Sequence, residues 1–493
     1  MKNITIIVSI LGLLLVTSCE GFLDVKPSNS AAAETSITNA KDAKVVMNGL
    51  MRLMTSSSYY GRNFFMYGDA KGGDFAVRSQ GRGLDALYSF NHSQTTNNYG
   101  GYWSQIYHCI LQANNLILNI DKIEAEGSGS ATLSQYKGQA LTLRALMYFD
   151  LVRLYGKPYD MDKTSFGVPL ILEPLDASDQ PLRASVEEVY TQILTDLTDA
   201  APLLATTKQN GYINYYGNMA LQAKVNLYME NYAAALTAAE DIIENGPYVL
   251  YTNANWYDSW STEYATESIF ELAIYANEAD LGTSSLGYYL LRLYKVTGAS
   301  GWFMASDYWL QRMYQDPGDI RLAIMDQDES TINDPDTIRL GSCMKYVGGH
   351  EMEGDKGKAS ATNVKVIRLS EVYLIAAEAA MNLTTPDLTK AVNYLNEIRK
   401  RAPNLDPATE ATITMQMIED ERSKELFAEG QRFFDMMRWD KQIELNDDFI
   451  SPAVAITSRD KIIDRTFYKT ILPIPQNEID ANPPIAAQQN PSY

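Results

Sequence analysis

Apolar residues recur at helical spacing over much of the chain. Trp103, Ile106, Tyr107, Ile110, Leu111, Asn114 and Ile117 fall three or four positions apart, which lines one face of a helix. A second run, Leu141 to Tyr155, stops at Gly156 and Pro158, residue types that end helices. Ser185 followed by Glu188 predicts a capping box that opens a third helix through Val189, Ile193, Leu194 and Leu197. The same period predicts helices over 103–121, 141–155, 216–245, 370–401 and 413–441. Two stretches read as variants of one helix–turn–helix unit. In Ala220 to Tyr228 followed by Tyr232 to Ile243, and in Tyr373 to Ala380 followed by Ala391 to Ile398, small residues sit where two helices must approach closely. Such pairs are similar to tetratricopeptide repeats, whose period is about 34 residues, although any alanine-rich amphipathic pair shares the pattern.

Between the helical parts lie segments 56–101, 246–304 and 326–364, rich in Gly, Asn, Ser, Asp and Tyr. That composition predicts loops and short strands, and long loops on a rigid scaffold are usual places for binding surfaces. The expected fold is therefore mostly α: a tetratricopeptide-like helical-repeat scaffold with long irregular loops and a few short strands. No linker or charge block separates two halves. The expected organisation is a leader at 1–18, an N-terminal part at 19–230 and a C-terminal part at 231–493 integrated with it into one body.

The N-terminus changes the picture. Lys2 precedes an apolar run from Ile4 to Val16, then Thr17, Ser18 and Cys19. A bilayer core of about 30 Å needs roughly 20 helical residues, so this run is a signal peptide and not a span. Val16-Thr17-Ser18-Cys19 resembles a bacterial lipobox, which makes Cys19 the expected site of acylation and the lipid the membrane anchor. A formal net charge of −20 disfavours nucleic acid and anionic headgroups as partners. Of the three cysteines, Cys109 and Cys343 remain. A disulfide between them is open, but the apolar helical setting of Cys109 favours a buried free thiol, and no spacing points to a metal site.

Several ordered motifs carry a resemblance. Leu143-Arg144-Ala145 through Tyr148, Leu151, Arg153 and Tyr155-Gly156, then Val168-Pro169-Leu170, is followed by Arg368-Leu369-Ser370-Glu371-Val372-Tyr373-Leu374 and Ala377-Glu378-Ala379. Leu395-Asn396-Glu397-Ile398-Arg399 comes next, then Glu421-Arg422, Glu425-Leu426, Glu429-Gly430-Gln431-Arg432, Asp435 and Arg438-Trp439. Near the end stand Leu472-Pro473-Ile474-Pro475, Asn482-Pro483 and Gln489-Asn490-Pro491. Together they strongly resemble the SusD/RagB family of nutrient-binding outer-membrane lipoproteins. The resemblance implies a surface lipoprotein, facing the cell exterior, that delivers oligosaccharide to a SusC-like TonB-dependent outer-membrane barrel. Peptide uptake of the RagB kind is the alternative within the family; a surface hydrolase or an adhesive lipoprotein are the alternatives outside it. Read from the residues alone, the motifs are structural. Glu421, Glu425 and Glu429 repeat every fourth residue, which repels unless bases intervene, and Arg422, Arg432 and Arg438 are the expected bases. Arg144 and Arg153 are expected to anchor loops.

No catalytic signature is present. His92, His108 and His350 stand outside any triad motif, and no nucleophile elbow, zinc-protease helix or phosphate-binding loop occurs. Glycosidase carboxylates need no local motif, so acids alone do not decide this. The expectation is a binding protein, not an enzyme, with no cofactor and no metal. Aromatics supply the candidate chemistry, with 32 Tyr and 6 Trp. A sugar ring packs its C–H face on an aromatic ring while its hydroxyls need polar partners at the edge. Trp302, after Gly301 in a Gly/Ser/Thr-rich loop, resembles the family's aromatic platform and is expected to be exposed, with Tyr288 and Tyr289 beside it. In the first irregular segment Asp69, Asp74, Arg78 and Arg82 are candidate polar partners, and Phe75, Tyr99 and Tyr102 candidate stacking surfaces.

The lipobox generates a direct prediction. Radiolabelled palmitate should enter the wild-type protein and not Cys19→Ser; equal labelling of the two refutes acylation at Cys19. Protease added to whole cells should degrade the wild type, and an intact protein counts against exposure to the exterior.

Overall fold

The computed structural model describes residues 37–81, 83–95, 101–176, 178–275, 284–291, 299–331, 334, 337–347 and 361–493. Cys19 lies outside them. The scaffold helices are α1 Ala40–Met54, α2 Asn63–Ala70, α3 Tyr102–Ala125, α4 Ala131–Tyr155, α5 Val186–Ala200, α6 Tyr215–Tyr228, α7 Tyr232–Asn245, α8 Leu286–Leu290, α9 Asp307–Met313, α10 Leu369–Met381, α11 Leu388–Arg399, α12 Met415–Glu425 and α13 Arg432–Arg438. Sequence neighbours pack as spatial neighbours: α3 on α4, α4 on α5, α5 on α6, α6 on α7, α7 on α10, and α10 on both α11 and α12, with α1 laid on α3. This is the expected stacked-pair scaffold. Among the described residues no helix is long and apolar enough to cross a membrane.

The starts of these helices follow from local chemistry. The expected capping box is present: Ser185 Oγ accepts from the Glu188 N–H while the Glu188 carboxylate accepts from the Ser185 N–H. Ser130, Asn214 and Thr414 cap α4, α6 and α12 in the simpler one-sided way. Helix α4 begins ten residues before the run read from the sequence, and from Gly138 to Tyr155 it is buried on nearly every face. A helix surrounded by others needs no polar stripe. The same reason hides α2, which lies inside a segment expected to be irregular: all of its residues, Asn63 to Ala70, are buried.

Short antiparallel strand pairs bind the irregular segments to this scaffold: β1 Phe75–Val77 with β3 Phe303–Ala305, β2 Ser268–Leu272 with β6 Val364–Arg368, and β4 Met325–Asp326 with β5 Ser342–Cys343. Cys109 and Cys343 are both free and buried. Burial pushes the Cys109 thiol up to about 12 and the Cys343 thiol up to about 11, so neither is a thiolate near neutrality.

Glu421 and Glu425 of α12, and Glu429 four residues past its end, are buried and paired, but with other bases than those expected. Glu421 meets Arg321 at 2.9 Å, Lys424 at 2.5 Å and Arg399 at 3.4 Å. Glu425 meets Arg401 at 2.9 Å, Arg368 at 3.3 Å and Arg321 at 3.4 Å. Glu429 meets Arg368 and Lys345, each at 2.7 Å. Glu267 joins through Arg368 and Arg401, and Asp319 through Arg321. Arg422, Arg432 and Arg438 face elsewhere. Arg422 and Arg438 share Asp435, and Arg438 also forks onto Glu378 of α10, which in turn accepts from Trp439 Nε1 at 2.7 Å. Apart from the Glu421–Lys424 and Asp435–Arg438 pairs, each three positions apart, these partners arrive from distant segments, beyond the reach of spacing along one helix. Arg144 likewise ties helices, not loops: its fork grips Asp196 of α5 at 2.8 and 2.7 Å and its remaining nitrogen donates to Asn114 of α3.

Two further motif residues have a backbone reason. Gly430 has φ of +72°, and a Cβ there would lie 2.8 Å from Phe65 Cα. Only glycine satisfies both the left-handed angle and the close crossing of α2. Asn490 donates to the Tyr155 carbonyl at 2.8 Å and the Leu472 carbonyl at 2.6 Å, which fastens the C-terminal segment to the end of α4.

Burial by itself raises the Glu425 carboxyl, but Arg401, Arg368, Arg321 and Lys345 overcome it and bring it down to about 2. The folded state therefore holds fewer protons than the unfolded one, and Glu425 contributes stability that is present above the ordinary value near 4.5 and lost as pH falls toward about 2. Glu425→Gln should cost about 3–5 kcal/mol near neutral pH in a chemical denaturation curve, because it leaves buried guanidinium charge unmatched. Its stability should also fall less steeply across that acid window; a variant as stable as wild type would refute the role of the network.

Candidate functional site

The pairing of β1 with β3 brings the first irregular segment to the Gly301-Trp302 loop. Its register sets Phe75 opposite Ala305, Ala76 opposite Met304 and Val77 opposite Phe303. Arg78 and Trp302 are the next residues beyond the last pair, and the Arg78 guanidinium lies over the Trp302 ring at 4.8 Å from its centre. Gly301 makes this approach feasible. Its φ is +55°, and a Cβ would sit 2.8 Å from Glu329 Cγ. Helix α8 is hydrogen-bonded to the same loop, since the Tyr288 carbonyl accepts from the Ser300 N–H at 2.6 Å and the Tyr289 carbonyl from the Trp302 N–H at 3.0 Å. Trp302, Tyr288 and Tyr289 are thus joined by backbone as well as by proximity. The two tyrosine rings meet edge to face at 5.0 Å, and Tyr289 reaches Phe303 at 6.2 Å and the Arg62 guanidinium at 5.7 Å.

Exposure is distributed otherwise than expected. Trp302 is 5% exposed and Tyr289 7%, while the Arg78 side chain keeps 37% of its surface and Tyr288 is half-buried. β-Pairing delivers Arg78 onto one face of the Trp302 ring, which also packs into the hydrophobic core. Arg78 is held there loosely, with Glu329 3.9 Å away. The cluster therefore offers a cationic fork and one accessible phenol ring at its surface, above two buried aromatics.

The other first-segment candidates face inward. Asp74 accepts from Ser423 Oγ at 2.6 Å and Arg312 at 2.8 Å, with Arg432 at 3.3 Å. Phe75 stacks on Phe427 at 4.5 Å, and Phe427 stacks in turn on Trp309 at 4.1 Å. The Tyr102 hydroxyl donates to the Asn63 carbonyl at 2.6 Å, and no part of Tyr102 is exposed. Asp69 accepts the Gly430 N–H at 3.0 Å; burial holds its carboxyl well above the usual carboxylate range. These four are packing residues, a correction to their reading as ligand partners: a Gly- and Asp-rich stretch looks like surface, but here it crosses over α12 and is covered. Arg82 and Tyr99 lie outside the described residues. Glu329 and Arg62, which sequence reading passed over, complete the surroundings of Trp302 and Tyr289, and no local pattern links either to them.

The whole chain is similar to known proteins. The model of the SusD family matches residues 206–493, and a second, described as starch-binding associating with outer membrane, matches residues 21–228. SusD-like protein P38 of Formosa agariphila is 26% identical over 97% of this chain and 98% of its own length. A SusD superfamily crystal structure from Bacteroides thetaiotaomicron is 33% identical, covers 92% of this chain and all of its own, and superposes with a TM-score of 0.81. One from Bacteroides vulgatus is 32% identical, covers 93% and 100%, and reaches 0.80. A laminarin binding SusD-like protein, at 23% identity, 92% and 99% coverage and a TM-score of 0.70, shares the fold. The stacked helix pairs, the knitted motifs of α10, α12 and α13, and the match over 206–493 lead to one conclusion: the chain belongs to the SusD family.

Proposed function

We propose that this protein captures an oligosaccharide at the outer-membrane surface, anchored through an acylated Cys19, and delivers it to a SusC-like TonB-dependent barrel. The observation that carries the ligand site is the Arg78–Trp302–Tyr288–Tyr289 cluster, a group of aromatics and one loosely tethered cation set at the meeting of two loops. Two supports are independent of it: the lipobox and the family description of starch binding at the outer membrane. The chemistry suits a sugar. Tyr288 presents a ring for the C–H face, and Arg78 has donors for hydroxyls. Displacement of Arg78 from Trp302 by a sugar ring exchanges a cation–π contact for a stacking contact, so ligand entry uncovers the larger platform at little cost. The helical scaffold provides the rigid base on which these loops are mounted. Capture requires no bond to be broken, and no reaction is assigned to the cluster.

Stacking on an aromatic ring is worth about 1–3 kcal/mol per nucleobase, a scale taken here for sugars. Tyr288→Ala and Arg78→Ala should each weaken binding of the cognate glycan by about tenfold to a hundredfold in calorimetric titration, with melting temperatures close to wild type because both side chains are partly exposed. Trp302→Ala should lower both affinity and stability, since a buried aromatic cut to alanine costs about 3–5 kcal/mol. Unchanged affinity in the Tyr288 and Arg78 variants refutes this site. Absence of a large outer-membrane barrel on co-purification, or release of reducing ends from the bound glycan, refutes the delivery or the non-catalytic reading respectively.

A further inference from the structure

A second cleft, of about 450 Å³, opens where α1, the turn at 209–212 and the end of β2 meet, and it shares no lining residue with the Trp302 cluster. Tyr212, Tyr264 and Tyr275 line it, with Asn48, Asn210 and Arg52 between them. Tyr275 is 44% exposed, and the Tyr212 hydroxyl donates to Asn48 Oδ1 at 2.6 Å. Tyr212 and Tyr264 are each raised in pKa first by burial, and Tyr275 contributes to both, which marks the three phenols as one neighbourhood.

Tyr264 is held in place by force. Its φ is +51°, a left-handed angle that a bulky side chain adopts only when its surroundings compel it. Both Glu271 carboxylate oxygens accept from its N–H, at 3.2 and 3.1 Å, and Lys208 Nζ donates to its carbonyl at 2.8 Å. Glu271 is buried and Lys208 half-buried, so the two polar ends of this residue are clamped by groups whose other surroundings are protein. Strain of this kind persists where the structure over-determines a residue, and it clusters at ligand clamps. Arg52, at the rim, donates to Thr55 Oγ1 at 3.1 Å, and no described carboxylate lies within ion-pair distance of it. Among the described residues the lining contains no acid, in a chain whose net charge is −20.

We infer that this cleft is a second carbohydrate-binding site, separate from the Trp302 cluster, that takes an oligosaccharide and accepts an anionic substituent, a carboxylate or a sulfate, at Arg52. Three tyrosine rings offer faces for sugar C–H surfaces. The amides of Asn48 and Asn210 and the phenol hydroxyls can donate to and accept from sugar hydroxyls, a two-way capacity that side-chain amides and hydroxyls share. Arg52 supplies the planar fork that matches carboxylate or sulfate oxygens. Two sites on one chain hold a long glycan more durably than either alone, because the second contact is made at high effective concentration.

The test uses the full chain on an array of plant, algal, fungal, bacterial and host glycans, neutral and anionic, with a peptide array run in parallel. Arg78→Ala/Tyr288→Ala disables the first cluster, and Arg52→Ala/Tyr275→Ala disables the cleft; all four side chains are at least partly exposed, so circular dichroism and melting should match wild type. The expected result is that the Arg78→Ala/Tyr288→Ala protein still binds at least one glycan, and that adding Arg52→Ala/Tyr275→Ala weakens this residual binding by about tenfold or more. Restoring Arg52 alone should recover anionic glycans preferentially. Three results overturn the inference: no glycan retained by the Arg78→Ala/Tyr288→Ala protein, residual glycan binding indifferent to the cleft pair, or an effect of that pair on peptides only. If the cleft pair abolishes binding and the first pair leaves it untouched, the Trp302 cluster fails as the site and the cleft stands.

Discussion

Glu425 lies fully buried among three guanidinium groups from three distant parts of the chain, Arg321, Arg368 and Arg401. A buried carboxylate of this kind is tolerable only when every charge around it is matched, and removal of one partner strands the others in a low-dielectric interior. The constraint is therefore collective. Residues 319–321, 345, 368 and 401 must all arrive beside α12 together, and the segments that carry them are held in the same act. Arg368 is the last residue of β6 and the first step into α10, so the network also sets where the β2–β6 pair meets the helical scaffold.

The candidate site is mounted on the same helix. Ser423 lies in α12 between Glu421 and Glu425, and its hydroxyl donates to Asp74, the residue before β1. Arg312 of α9 and Arg432 of α13 close on the same carboxylate. From Asp74 the chain runs through β1, and Phe75 stacks into the Phe427–Trp309 column below. Only at Arg78 does it reach the surface, directly opposite Trp302. The inward residues of this segment thus position the outward one. Their chemistry is that of a mount and not of a binding face, which explains why polar and aromatic residues are dense there although few of them are accessible.

Exposure is rationed by the same logic. Arg78 and Tyr288 keep contact with solvent and few strong tethers, whereas the backbone beneath them is fixed by strand pairing and by the carbonyls of α8. The cleft at Tyr264 uses the opposite device. There the backbone itself is strained and clamped by Glu271 and Lys208, which sets a ring in place without a regular element to carry it.

The helices of the scaffold were legible in the sequence because periodicity, caps and helix-ending residues are local properties: the Ser185–Glu188 box and the alanine-rich pairs at 220–243 and 373–398 express them within a few residues. Helix α2 escaped because a segment buried on every side carries no polar period. The motifs were legible as a family pattern, yet their partners were not. Arg422 turns to Asp435, 13 positions away, while the acids of α12 draw on Arg321, Arg368 and Arg401, up to 104 positions away, and charge pairing over such distances leaves no spacing to read. At the candidate site, the family resemblance singled out Trp302, Tyr288 and Tyr289, while residue types alone offered Arg78 together with Asp74, Phe75 and Tyr102. The sequence determined which chemistry was available in each segment. Tertiary structure decided which side of each segment faces solvent, because the register of β1 on β3 and the crossing of that segment over α12 are set by contacts hundreds of residues apart.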